Sequence, residues 1–266
     1  MSESLRPDSP VERPMTPLAA ALWSVALTMT IMVAVSITES VRPGAQTDMV
    51  NRAACEVLGT SLIVFAMARW HATELPLRGV LGVRGIAPLH VLLAIAAGAG
   101  LVPLLSTIDS AVLHRWPIDD EAAAEGVRKL LASTSRTGLV VAALVVVPIA
   151  RELFYRGVLY GGVRATVNAR VAIIATSVFY ACSFLDPQQM PTALILGFAL
   201  AWLRERSGTV FAPIVAQLAY GAVEGIPILR GQDLEADVVY PVRWIVGGAA
   251  IAALALVGIG AGNRES

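Results

Sequence analysis

Of 266 residues, 56% are hydrophobic and 15% charged, with a formal net charge of zero. Soluble domains carry about a quarter charged residues, so lipid rather than water is the solvent of most of this chain. The absence of any basic block or basic-aromatic interleaving excludes nucleic-acid binding.

A bilayer core about 30 Å thick needs roughly 20 helical residues, and only helices or closed barrels cross it with their backbone polar groups satisfied. Met1 to Pro17, with Pro7, Pro10, Pro14 and Pro17, reads as a flexible cytoplasmic tail. Leu18 to Thr38 is too long for a signal-peptide core and is followed by no small-residue cleavage pattern, which predicts a retained span. Ala53 to Ala68, containing Glu56, is the second span, and Gly85 to Ile108 the third. Ile118 to Ser133 then reads as a short surface helix, opening on acids and closing on bases in agreement with its macrodipole. The fourth span starts near Thr137, is uncharged only to Ala150, and carries Arg151, Glu152 and Arg156 in its last turns. Val171 to Leu185, Pro187 to Leu203, Ser207 to Val223 and Trp244 to Asn263 complete eight.

The predicted fold is therefore all-α: a polytopic integral membrane bundle of about eight transmembrane helices, a single domain over 18–263. Lys and Arg favour cytoplasmic loops, and 12 of the 20 basic residues fall on the side of the N-terminus. Both termini are expected in the cytoplasm, and helical spans favour a bacterial inner membrane. Cys55 and Cys182 lie in apolar stretches and read as small apolar fillers. His71 and His114 read as loop residues, His90 as the start of a span, and no pair has metal spacing. Neither a metal nor a cofactor is expected.

Ionisable groups at membrane depth are costly, and the fourth span concentrates three. Glu152 precedes Arg156 by four residues, the favourable order for a helical ion pair, which gives a structural salt bridge as the simplest reading. Ser183 follows Phe179 by one turn on the fifth span, while Gln217 and Gly221 share a face of the seventh. The three spans are expected to line one cavity. Glu224, one turn beyond Gly221, is expected to reach either an arginine of the fourth span or the outer interface.

From about Gly79 to Gly225 these segments resemble the CAAX-protease and bacteriocin-processing family of intramembrane proteases, the Abi family. Its Glu-Glu-x-x-x-Arg motif corresponds to Arg151-Glu152-Leu153-Phe154-Tyr155-Arg156, and its Phe-x-x-x-His to Phe179 through Ser183. Its His-x-x-x-Asn corresponds to Gln217 through Gly221 after Ala212-Pro213-Ile214, and Leu81-Gly82-Val83-Arg84 is similar to its Leu-Gly-Leu-Arg phrase. The resemblance implies that the first Glu and first His activate water while the second His and the Asn stabilise the oxyanion. At those four positions this chain has Arg151, Ser183, Gln217 and Gly221, so it reads as a degenerate member.

A guanidinium with pKa above about 12 accepts no proton at neutral pH, Gly221 offers no side-chain donor, and Gln217 alone retains one. The resemblance thus implies a catalytically inactive relative, a partner or substrate-binding subunit in protein sorting or processing. Its expected companions are membrane lipid, an active protease relative and a membrane-anchored or C-terminal peptide. Two other functions compete: an active glutamic-type endopeptidase with Glu152 and Arg156 as its catalytic pair, and a transporter or channel resting on the buried charges.

Overall fold

The computed structural model describes residues 14–72, 76–116, 135–229 and 240–262, and all regular structure among them is helical. Helices α1 (Pro17–Val41) and α2 (Met49–His71) form a hairpin over a 3₁₀ turn at Ala45–Thr47, and the short α3 (Leu77–Val80) precedes α4 (Pro88–Arg115). Helix α5 covers 136–164, followed by α6 (Ala169–Cys182), α7 (Met190–Ser207), α8 (Phe211–Leu229) and α9 (Val242–Gly262). By length and composition α1, α2, α4, α5 and α9 suffice to cross a membrane, and α6 and α8 are shorter apolar helices. With α7 these account for the eight predicted stretches, and the protein is an all-helical, multi-pass membrane protein. Residues 1–13 of the predicted tail and the predicted surface helix over 118–133 lie outside the described residues.

Most helices overrun the apolar stretches that announced them, because hydropathy marks hydrocarbon depth whereas caps sit at the interface. Thr16 accepts from the Ala19 amide with Pro17 opening α1, Asp48 accepts from the Val50 and Asn51 amides at the start of α2, and Asn168 caps α6. His71 and His114 consequently lie in the last turns of α2 and α4, not in loops as predicted. Leu18, Leu22, Val25 and Met29 form an exposed stripe along α1, as expected of a lipid-facing helix, and Trp70, Trp116 and Trp244 are exposed near helix ends, where indoles favour the interface.

Helix α7 is shared by two buried clusters. Ala193 and Ala201 join Phe154, Tyr155 and Leu159 of α5 with Met67 of α2 and Tyr180 of α6. Leu196, Leu200 and Leu203 join Val102 and Leu105 of α4 with Ala216 of α8 and Ile259 of α9. Lipid tails are as apolar as leucine, so association rests on close packing rather than on the hydrophobic effect. Gly98 shows this on α4: a Cβ there would overlap the Ala216 carbonyl oxygen, so α4 and α8 touch through backbone.

The Leu81 to Arg84 phrase acts as a clip across helix ends. Gly82 adopts φ +65°, and a side chain there would collide with the Arg204 guanidinium of α7. The Gly82 carbonyl accepts from the Val210 amide at 3.1 Å, and the Arg84 carbonyl from the Thr209 hydroxyl at 2.8 Å, which fastens the phrase to the start of α8.

Candidate functional site

Helix α5 contains two π-helical stretches, Ala142–Val146 and Leu153–Leu159; Arg151 and Glu152 lie in the regular turn Val147–Glu152 between them and Arg156 in the second stretch. Such wide turns are rare and concentrate at functional sites, where they re-aim side chains. In the regular turn consecutive residues point about 100° apart, and Arg151 and Glu152 accordingly reach different neighbours.

Arg151 turns towards α2. Its Nε donates to Glu56 Oε1 at 2.9 Å, and its guanidinium lies over the Phe184 ring at 4.6 Å. Glu56, which interrupts the apolar pattern of the second span, is thus the counter-charge of Arg151, an assignment its position in sequence did not announce. Glu152 turns the other way and accepts from Arg156 Nη1 at 3.1 Å, with neither side chain exposed. Arg156 Nη2 donates to the Gly197 carbonyl at 3.0 Å, and its guanidinium stacks over Tyr180 at 4.3 Å. The predicted ion pair therefore exists and also ties α5 to α7. It is incompletely satisfied: Glu152 Oε2 and Arg156 Nε are buried with no hydrogen-bond partner among the described residues.

The four positions that correspond to the family's catalytic residues do not face one cavity, contrary to the expectation. Arg151 and Ser183 line a cavity of about 150 Å³ with Glu56, Arg52 and Tyr155. Gln217 and Gly221 line another, of about 250 Å³, with Asp109, Thr192, Tyr220 and Glu224. Phe184 borders both and stands as the wall between them. The division follows from Arg151: its bond to Glu56 draws the side chain to α2, away from α8, and its cation packs against Phe184.

Ser183 ends α6, and its hydroxyl donates to the Tyr180 carbonyl at 2.7 Å, a local capping bond rather than a link to a base. Phe179 is half-buried and packs against the α1–α2–α5–α6 cluster. In the second cavity Gln217 Oε1 is buried with no hydrogen-bond partner among the described residues. A Cβ at Gly221 would stand 3.3 Å from both Cβ and O of Leu144, so only the smallest residues fit without displacing α5. Glu224 meets no arginine of α5; it accepts from the Tyr220 hydroxyl at 2.5 Å, one turn away on its own helix. Asp109 accepts from the Thr192 hydroxyl at 2.7 Å. Neither Asp109 nor Thr192 stands out in the sequence; Asp109 directly follows the apolar run that marks the third span. Of the two cysteines Cys55 is buried, as a filler should be, whereas Cys182 is exposed.

Fold and site together define a multi-pass helical membrane protein with a buried Glu152–Arg156 pair on α5. Residues 133–223, which hold the motif positions of α5, α6 and α8 but not the Leu81–Arg84 phrase, match the family model described as type II CAAX prenyl endopeptidase Rce1-like. The match covers less than half of the chain and agrees with the resemblance its motifs carry. No curated protein matches the chain, and no solved structure matches it.

Proposed function

We propose that this protein is a non-cleaving member of its family, a partner or substrate-binding subunit in protein sorting or processing. We place it in a bacterial inner membrane with both termini in the cytoplasm. The observation that carries the reading is the Arg151–Glu56 bond: where the family pattern has a general base, this chain has a cation already neutralised by a neighbouring helix. Losing general acid–base help costs about 10² to 10⁴ in rate, and losing an oxyanion donor about 10² to 10³.

One observation favours the competing reading in which Glu152 serves as the base: its second oxygen lacks a partner. Against it, the side chain is fully buried and lines neither of these two cavities. The test combines two measurements on the purified full chain. A prenylated, C-terminal-motif peptide should remain uncut in detergent or liposomes, and capture from native membranes should recover a protease relative or a membrane-anchored peptide in stoichiometric amount. Hydrolysis at ordinary enzymatic turnover, about 1 s⁻¹ or faster and abolished by Glu152→Gln, overturns the proposal.

A further inference from the structure

A further cavity lies just beyond the motif, at the C-terminal end of α5, where Pro14 and Met15, α3, the Leu81–Arg84 clip and the ends of α2, α5 and α7 meet. It measures about 430 Å³, within the range of small-molecule sites. Two guanidiniums, Arg84 and Arg204, stand at it, and no acid among the described residues lines it. Its remaining wall is largely apolar, with Met15, Met67, Val80 and Val158, and a stretch of α5 bared by Gly161 and Gly162. We propose that this cavity binds the phosphate of an anionic lipid headgroup, with the glycerol and first acyl carbons against the apolar wall.

Both arginines are rooted in place. Arg204 donates through Nε to the Arg156 carbonyl at 2.8 Å and lays its guanidinium on Gly82, with Nη2 nearest the glycine, so the cation is held at the cavity wall. The Arg84 backbone is fastened by Thr209, and its side chain is exposed and forms no ion pair among the described residues. Two preset cations lower the ordering cost of binding one anion, and guanidinium matches phosphate oxygens in bidentate geometry. The surroundings agree: Arg69, Arg78, Arg164, Arg170 and Arg206 lie at the same end of the bundle, and Glu205 is the one acid there among the described residues. A basic pocket between helices at a membrane surface is suited to a phosphorylated headgroup, and the methionine and valine wall selects an amphiphile over a free ion.

The experiment titrates the full-length protein in detergent with short-chain phosphatidylglycerol, phosphatidylcholine and inorganic phosphate, and counts bound molecules by native mass spectrometry. Wild type should bind one phosphatidylglycerol saturably and in preference to phosphatidylcholine. Arg84→Gln should weaken that binding about tenfold or more, because one charge-assisted contact is lost. Arg84→Lys should keep most of it, and Arg170→Gln, at the same end but outside the cavity, should change it little. Equal weakening by Arg84→Gln and Arg170→Gln would mean diffuse surface attraction and overturn the site. Equal binding of the two lipids, or saturation by inorganic phosphate at the same concentration as lipid, would overturn the headgroup assignment. Among the described residues the Arg84 side chain makes no bond that holds the fold, so a misfolded Arg84→Gln protein, seen as a shifted gel-filtration profile, would also contradict the assignment.

Discussion

Removing the counter-charge of Arg151 should weaken the protein more than any lipid-facing change, and the structure sets the size of the effect. The Arg151–Glu56 pair is mostly buried, with side-chain exposures of 21% and 9%, and joins α5 to α2 at 2.9 Å. Breaking a buried pair by deleting one partner costs about 3–5 kcal/mol, since the survivor is left uncompensated. The partial exposure of Arg151 and the adjoining cavity reduce that figure, to about 2–3 kcal/mol for Glu56→Gln or Arg151→Met. The charge reversal Arg151→Glu should cost more, because it sets two carboxylates against each other. Combining Arg151→Glu with Glu56→Arg restores an ion pair with exchanged ends and should recover most of the loss. The assay is unfolding in mixed micelles as denaturing detergent is raised, run as a double-mutant cycle, which isolates the coupling between the two positions. A coupling below about 0.5 kcal/mol, the scatter expected of independent surface changes, would refute the pairing and with it the cause assigned to the divided site.

Two further expectations rest on single contacts. Gly98→Val should separate α4 from α8, because any Cβ meets the Ala216 carbonyl; overpacking of this kind costs about 1–3 kcal/mol, and loss of monodisperse protein on gel filtration is the readout. Tyr220→Phe removes the hydroxyl that bonds Glu224, stranding a carboxylate in the second cavity, and should cost about 1–3 kcal/mol in the same unfolding assay, whereas Tyr240→Phe should be close to neutral.

The spans are legible in the sequence because lipid imposes one rule on every residue facing it, and apolar runs of about 20 residues are rare outside membranes. The ion pair of Glu152 with Arg156 is legible for a similar reason: four residues on one helix fix the distance whatever the rest of the fold does. Partners on different helices carry no such signal. Glu56 and Arg151 stand 95 positions apart in the chain, and nothing in the hydropathy of either span says which faces meet. The π-helical stretches are equally silent, since a widened turn leaves the composition unchanged while rotating everything beyond it. This is why one shared cavity is the natural expectation from spacing alone, and why two are found. The clip at Leu81 to Arg84 lies between these cases: the phrase is visible, but its task of seating Arg204 over a glycine requires the backbone.

The divided site also determines what would be needed to reverse the chemistry. Restoring the family pattern with Arg151→Glu, Ser183→His, Gln217→His and Gly221→Asn supplies four side chains but not the space in which they would meet. Arg151→Glu brings a carboxylate against Glu56, whose charge then has no partner, and Phe184 still separates that position from α8. Gly221→Asn pushes a Cβ to 3.3 Å from Leu144 and forces α5 and α8 apart, and catalysis tolerates misplacement of only about 1 Å. The quadruple variant should therefore be less stable than wild type and hydrolyse no peptide above background. Adding Glu56→Gln, Leu144→Ala and Phe184→Ala removes the opposing carboxylate, the crowding and the wall, and should recover stability before any activity. Measured turnover by the quadruple variant alone would show that the helices already converge as they do in a working protease, and that Arg151 reports a change of side chain without a change of architecture.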